Sequence, residues 1–228
     1  MKTTPPRTIQ PPRLPKRLPT AALDDLEDFR EYLAFSAANC DLSGQQASGI
    51  VLEQAHLRRA NFTRSHLTRP RLSDVRWEVS DFSGAEWEKA RIRRAEFIGC
   101  RLLGMLLTES DLEDVVFTEC NLEGVIFVGA VFRAVRFEDC NLRGATFEQT
   151  HLAGTSLRGC DLSHAVLRET SLKGADLRTA VLGGMQISAG DLQGAVISPA
   201  QAEQVAALLG VRVLDEHAGL DEEEKQTE

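Results

Sequence analysis

Five cysteines form the pattern in this 228-residue sequence that comes closest to a chemical site. They are Cys40, Cys100, Cys120, Cys140 and Cys160, and the last four are separated by twenty residues each. Clustered thiols bind zinc, and paired thiols carry redox chemistry. A regular column, however, places its ligands in a line, whereas a metal ion needs them at the corners of a polyhedron. We therefore expect these thiols to be small core side chains, with no metal and no cofactor.

No other group of residues supplies a catalytic pattern. The histidines are scattered without the spacing of metal ligands, at His56, His66, His151, His164 and His217. A phosphate-binding loop, a dinucleotide-binding glycine motif, HExxH and GxSxG are all missing from the sequence. We predict that the protein is not an enzyme and has no catalytic, cofactor-binding or metal-binding residues.

Composition and charge describe an ordinary soluble protein. Hydrophobic residues make up 43% and charged residues 26% of the chain, which is close to the average for soluble domains. No apolar run approaches the roughly 18 residues of a membrane helix, and the odd number of cysteines argues against a disulfide framework. We expect a cytoplasmic protein without membrane contact. Most of the formal net charge of −8 lies in residues 199–228, which carry −6.

The elements that hold the cysteines follow a period of five residues. Every fifth residue from Leu42 to Ile197 gives 32 positions, filled by 18 Leu, eight Phe, three Ile, two Trp and one Ala. A second column, two positions earlier, holds mostly Ala, Cys, Ser, Thr, Val and Gly. Neither a helix nor an alternating strand keeps this period. One large and one small inward side chain per five residues predict units that stack into a solenoid.

Repeats with a longer period indicate the length of one coil. Cysteine, Asn or Asp, and Gly each recur at intervals of twenty residues, for example at Cys120, Asn121 and Gly124 and again at Cys140, Asn141 and Gly144. Four five-residue units therefore make one coil. Eight coils at the strand spacing of about 4.8 Å predict a rod of about 38 Å.

Segments such as NCDLSG, ECNLEG, DCNLRGATF and GCDLSHAVL match the pattern A(D/N)LXX. Over residues 40–198 the chain resembles the pentapeptide-repeat family. The resemblance implies an all-β solenoid, a right-handed quadrilateral parallel β-helix. Some members of that family resemble DNA in shape and charge, bind DNA gyrase or topoisomerase IV and protect against quinolones. Enzymatic activity is not a trait of the family.

The N-terminal part is expected to comprise two segments. Residues 1–20 contain six of the eight prolines and five basic residues, which predicts a disordered, proline-rich basic arm. Residues 21–39 are expected to cap the first coil. Leu23, Leu26 and Phe29 would share one face of a short helix; alternatively, because Tyr32 and Ala37 are in phase with the repeat, the first coil begins early.

At the other end, residues 199–214 are expected to form a helix and a short strand. Ser198 and Gln201 fit a capping box, with the helix running from Pro199 to Leu209 and stopping at Gly210, before the strand VRVL. This module resembles the C-terminal dimerisation element of quinolone-resistance members, so capping alone and capping with homodimerisation both remain open. Its candidate residues are Val205, Leu208, Leu209, Val211 and Val213. Residues 215–228 are expected to be an acidic, disordered tail.

Two outward surfaces are candidates for binding a partner. Apolar residues in outward positions form a mid-rod patch, made of Leu103, Leu106, Ile126, Val128 and Val131. They predict a protein interface, although β-branched residues also simply suit strands. An acidic belt lies in residues 95–148, which carry a net charge of −6, and contains Glu109, Asp111, Glu113, Asp114, Glu119, Glu123, Glu138 and Asp139.

Charges twenty residues apart should be neighbours in adjacent coils. Twelve such outward pairs are opposite in sign and four are alike, which favours structural ladders and weakens the field that a DNA mimic would project. The same laddering argues against direct nucleic-acid binding by the arginines. We predict a non-enzymatic protein-interaction rod, homodimeric through its C-terminal module, with an unknown protein partner. The alternative is a DNA-mimicking binder of gyrase or topoisomerase IV that confers quinolone protection.

Overall fold

The computed structural model describes residues 8–214 and shows a parallel β-solenoid of about eight coils. Strands in successive coils pair in parallel with a shift of twenty residues, as in Leu52 with Leu72 and Leu112 with Phe132. Isolated bridges continue the same register, for example from Asp41 to Asn61. The predicted coil of four five-residue units and the all-β solenoid are therefore confirmed.

Twelve strands form three sheets in the described chain. In chain order they are β1 Glu31–Ala38, β2 Gln46–Ser48, β3 Val51–Arg58, β4 His66–Thr68, β5 Arg71–Glu78, β6 Glu86–Glu88, β7 Arg91–Ile98, β8 Asp111–Thr118, β9 Val131–Glu138, β10 Thr146–Glu148, β11 Val166–Arg168 and β12 Gln186–Ile187. The large sheet has the order β1-β3-β5-β7-β8-β9, and the two small sheets are β2-β4-β6 and β10-β11-β12. Two short α-helices follow, α1 Ala189–Leu192 and α2 Ala202–Leu208, with a 3-10 helix at Pro199–Gln201.

Each coil turns four corners, because every fifth residue has a positive φ. In one coil the corners are Asp74, Val79, Gly84 and Lys89, with φ between 52° and 64°. This left-handed conformation costs most L-residues roughly 1–2 kcal/mol. The parallel hydrogen bonds on both sides of a corner compensate for that cost. The result is a four-sided coil, as the resemblance implied.

The core consists of the two inward columns. Every position of the large column from Leu42 to Leu182 is buried. Aromatic rings stack along the rod: Phe97, Phe117 and Phe137 have centroids 4.8 and 4.9 Å apart and nearly parallel planes. Each large side chain therefore packs against its equivalents in the coils above and below, so no coil has a core of its own.

The N-terminal end is a coil rather than a helix. Residues 21–30 contain no helix, and β1 pairs in parallel with β3, so the predicted short helix is wrong and the alternative of an early coil is confirmed. Leu23 and Leu26 are nevertheless buried, whereas Phe29 is 76% exposed. The Gln45 side chain accepts from the Leu26 N–H at 2.7 Å and donates to the Asp24 carbonyl at 3.0 Å. These bonds hold residues 21–30 over the first coil without helical geometry.

The proline-rich arm does not behave as a free tail. Residues 8–20 lie against the side of the rod, with Thr20 bridged to Ser36 of the first coil and Arg13 bonded to Asp74. The prediction of a disordered arm is therefore wrong for residues 8–20. Residues 1–7 of the arm and the whole of the predicted acidic tail, 215–228, lie outside the described residues.

The C-terminal helix caps the last coil, as predicted. The capping box of Ser198 and Gln201 is present, and Gly210 ends the helix with φ +75°. The buried Gln201 amide donates to the carbonyls of Leu177 and Ala180 at 2.8 and 2.7 Å. Residues 211–214 do not form the predicted strand, and none of the described strands pairs with them.

Candidate protein-interaction surfaces

The cysteine column points into the core. All five cysteines are buried, and none of them forms a disulfide bond. The Cys120 Sγ lies 3.3 Å from the Phe97 carbonyl and 3.4 Å from the Thr118 carbonyl, and Cys140 repeats this arrangement one coil later. Hydrogen bonding with the neighbouring thiols, together with burial, raises the pKa of Cys120. These thiols fill the small inward positions and are protected from reagents in water.

Within residues 8–214, no group of three or more His, Cys, Asp or Glu side chains has an arrangement that could hold a metal ion. Two histidines instead lie beside glutamates of the next coil: His56 is 3.2 Å from Glu78, and His66 is 3.5 Å from Glu86. No helix in the described part of the chain is long and apolar enough to cross a membrane.

The mid-rod patch is only partly assembled by the fold. Leu106 and Ile126 are bridge partners in adjacent coils, and Val128 lies beyond Ile126 on the same side of the rod. Leu103 and Val131 lie on the two neighbouring sides. All five side chains are half-buried rather than exposed. The patch is therefore shallow and curved around two corners.

Among the described residues, ion pairs between coils follow the predicted twenty-residue ladder in at least six of the twelve cases. They are Arg58–Glu78, Asp74–Arg94, Arg76–Glu96, Asp81–Arg101, Lys89–Glu109 and Arg93–Glu113. In the acidic belt, Asp111 also pairs with Arg133, and Glu138 with Arg136. Basic side chains therefore offset much of the belt, whose members lie on different sides and corners of the rod.

The Asp74–Arg94 pair differs from the others because it is buried. Their side chains are only 5% and 14% exposed, and Arg94 donates to both carboxylate oxygens, at 2.6 and 2.5 Å. Burial alone would raise the pKa of Asp74, but hydrogen bonds from Arg94 and from the Arg13 amide outweigh it and hold this pKa below its usual value. Both residues occupy corner positions, and Asp114 follows at the same corner one coil later.

The arm covers this corner. The Arg13 backbone N–H donates to Asp74 Oδ1 at 2.8 Å, and the Gln10 N–H donates to Asp114 Oδ1 at 3.3 Å. Pro11 and Pro12, which lie between these two donors, have no N–H. Asp74 and Asp114 are 4% and 1% exposed.

Farther along the rod, Thr8 and Ile9 line a cavity with residues of the same corner column. We call the whole column the corner groove; it consists of Asp74, Arg94, Asp114, Ala134, Gly154 and Gly174. Periodicity did not reveal it, because the arm lies outside the repeat. The available signal was the Gln-Pro-Pro-Arg segment, which leaves just two amide donors, three residues apart.

The C-terminal end of the rod exposes apolar side chains. Val205 and Leu208 of the predicted cap or dimer set pack against the core, whereas the rest of that set does not. Exposed large apolar residues at this end are Val181, Val196, Leu209, Val211, Val213 and Leu214. Within the predicted set, Val205 and Leu208 thus pack against the core, whereas Leu209, Val211 and Val213 are exposed.

Two inward columns, four corners per coil and a twenty-residue parallel register define a solenoid built from five-residue units. A family model described as "Pentapeptide repeat region" matches residues 70–147 and 130–205, and one described as "Pentapeptide repeats (8 copies)" matches residues 38–74. The chain belongs to the pentapeptide-repeat family. The search of curated proteins found no match.

Several solved structures, HetL and QnrB1 among them, are similar to this chain. HetL, a pentapeptide repeat protein involved in heterocyst differentiation regulation in the cyanobacterium Nostoc sp. strain PCC 7120, is 22% identical over 75% of this chain and 90% of its own, with a TM-score of 0.49. A trypsin-treated single-residue variant of QnrB1, a plasmid-mediated fluoroquinolone resistance protein, is 22% identical over 86% of this chain and 98% of its own, with a TM-score of 0.46. At this level of identity the likeness concerns the fold alone.

Proposed function

We propose that this protein is a non-enzymatic protein-interaction rod that forms a homodimer through residues 199–214. The observation that carries the proposal is the exposed apolar C-terminal end. Val211, Val213 and Leu214 are 55%, 56% and 65% exposed, directly after a helix that already closes the core. Contiguous apolar surface of this kind is typical of protein interfaces.

A second copy is the simplest partner for this end. The segment VRVL has two β-branched residues and lies outside the helix, yet none of the described strands pairs with it. A two-fold contact places the same segment of both copies side by side, so that each covers the other's valines. The two rods of the dimer then extend in opposite directions. The mid-rod patch of each rod stays available as the surface for a different protein.

Light scattering after size exclusion tests the dimer. We expect twice the monomer mass of 25.1 kDa, and a monomer when Val213 is replaced by Asp. Val79→Asp is the matched control, since Val79 is 61% exposed on a corner of the rod; this variant should remain dimeric. A wild-type monomer at micromolar concentration would refute the homodimer.

Inhibition or protection of gyrase or topoisomerase IV is the second candidate function, favoured by the net charge of −6 in residues 95–148. The ion pairs of the acidic belt count against it, because a DNA mimic needs unneutralised negative charge along one side. A supercoiling assay with increasing protein, with and without a quinolone, tests this function. No inhibition and no protection at a large molar excess would exclude it.

A further inference from the structure

The spacing of two amide donors in the arm matches the spacing of their two acceptors in the corner groove. Pro11, Pro12 and Pro15 fix φ near −65°, and the residues before them are restricted to extended conformations. Three residues of a polyproline II segment advance about 9.3 Å, and two coils of the solenoid advance about 9.6 Å. The N–H groups of Gln10 and Arg13 are three residues apart, and their acceptors Asp114 and Asp74 are two coils apart.

The order of amide donors and prolines in the arm also matches the order of acceptors and the cation in the groove. Arg94 lies in the coil between the two aspartates, and its guanidinium group accepts no hydrogen bond. The two residues between the bonded amides are prolines, which offer no N–H donor. Polyproline II has three residues per turn, so the two amides project from the same side of the arm. A segment with a donor at every residue would instead bring unpaired N–H groups against a buried arginine.

The corner groove extends along most of the rod. From Thr20 at the first coil, the arm runs past Asp74 and Asp114 to Ile9, which lies beside Ala134 and Gly154. Alanine and glycine at these corners leave room for a chain to lie close to the backbone. Of the arm's side chains, Ile9, Pro12, Leu14 and Leu18 are half-buried.

We propose that the corner groove is a binding site for extended, proline-rich basic peptides with an X-Pro-Pro-X centre, and that residues 8–19 occupy it as a built-in competitor. The external segment belongs to a partner protein and binds by displacing the arm. The inference rests on the proposed function to the extent that both assign protein binding to the rod. It is independent of the C-terminal contact, so the two fail separately.

The probe is a fluorescent peptide with the sequence of residues 8–20, TIQPPRLPKRLPT, and the readout is anisotropy. We expect it to bind a chain that lacks residues 2–19 at least tenfold more tightly than the full chain, because the tethered arm competes at high effective concentration. Equal binding to both chains, or no binding to the shortened chain, would overturn the proposal.

Peptide variants test the register. Replacing Gln10 or Arg13 by Pro removes one amide donor while keeping the extended conformation, and each change should weaken binding about tenfold, the effect expected for a bond to a charged acceptor. Arg13→Ala keeps the amide and is the matched control; it should weaken binding less than Arg13→Pro. Proline variants that bind as tightly as the parent peptide contradict the register.

Two further measurements keep the test decisive. If the shortened chain does not fold, the full-length Gln10→Pro, Arg13→Pro double variant replaces it, because its rod sequence is unchanged and its arm should be released. Light scattering on the variant that is used shows whether the arm comes from a second copy. Loss of a dimer on arm removal or release would mean that the groove takes the partner copy's arm, and the proposal would then be wrong.

Discussion

The Arg13 amide donates a 2.8 Å hydrogen bond to Asp74, a residue 61 positions away that is itself held by Arg94. This contact joins a segment outside the repeat to a corner of the solenoid. It also completes the hydrogen bonding of a carboxylate whose residue is only 4% exposed. The arm and the buried ion pair are therefore one structural unit.

Removing the Asp74 carboxylate should lower the stability of the folded protein. Asp74→Ala removes the carboxylate that accepts both hydrogen bonds from Arg94, and loss of one partner of a buried ion pair typically lowers the free energy of unfolding by about 3–5 kcal/mol. Arg58→Ala is the control, because Arg58 pairs with Glu78 at 3.9 Å on the exposed surface, where such pairs contribute about 0–1 kcal/mol. Urea unfolding measures both. Similar small losses in the two variants would show that burial of the Asp74 pair has no energetic importance.

The same carboxylate should make stability depend on pH. Because the pKa of Asp74 is lowered in the folded state, its ionised form contributes stability above about pH 4, its usual pKa. That contribution is lost as the pH falls through the lowered value. The charged groups around it are Arg94, Arg13, Glu113 and Asp114. We expect the stability difference between wild type and Asp74→Asn to shrink between pH 6 and pH 3; a constant difference would contradict this.

A corner substitution should stabilise the rod. Val79 has φ +52° and is 61% exposed, so a β-branched residue is held in the left-handed region for no packing gain. Val79→Asn should raise the free energy of unfolding by about 1 kcal/mol, because Asn tolerates this conformation. Gly99, at the same corner of the next coil, has φ +58° and open space around it. Gly99→Val should therefore lower stability by a similar amount, and thermal unfolding of both variants checks the sign.

Truncation of the aromatic stack should be among the most damaging changes. Phe117 is fully buried between Phe97 and Phe137. Phe117→Ala should cost about 3–5 kcal/mol because it opens a cavity in the core. Phe117→Leu should cost much less, since Leu is the commonest residue of that column. Chemical unfolding separates the two outcomes, and equal losses would mean that ring stacking, not volume, dominates.

The thiol column should tolerate small replacements. Cys120→Ser keeps a group that can donate to the carbonyls beside it, as Ser80 and Ser110 do at the same column. We expect a change in unfolding free energy of about 1 kcal/mol or less, the net value of one hydrogen bond. In the folded protein, a thiol reagent should label none of the five cysteines until urea unfolds the chain. Rapid labelling without urea would contradict their burial.

Much of the fold could be read from the sequence because the repeat acts locally. The two inward columns and the capping box depend on residues a few positions apart, and the coil length depends on a regular interval of twenty; all are present in the structure. Residues 21–30 were harder to predict, since their apolar spacing also fits a helix. Hydrogen bonds with Gln45 and Ser48 of the next coil decide the outcome, because they hold Leu26 and Phe29 in a non-helical conformation.

The sequence by itself determined which side chains face the core and how long each coil is, because a period of five residues can be buried only by stacking. Only the tertiary structure decided where the arm lies. Its place depends on a match between the spacing of two amides and the distance between coils that are far apart in the chain. The corner groove, its buried aspartates and its arginine follow from that match, which no local pattern contains.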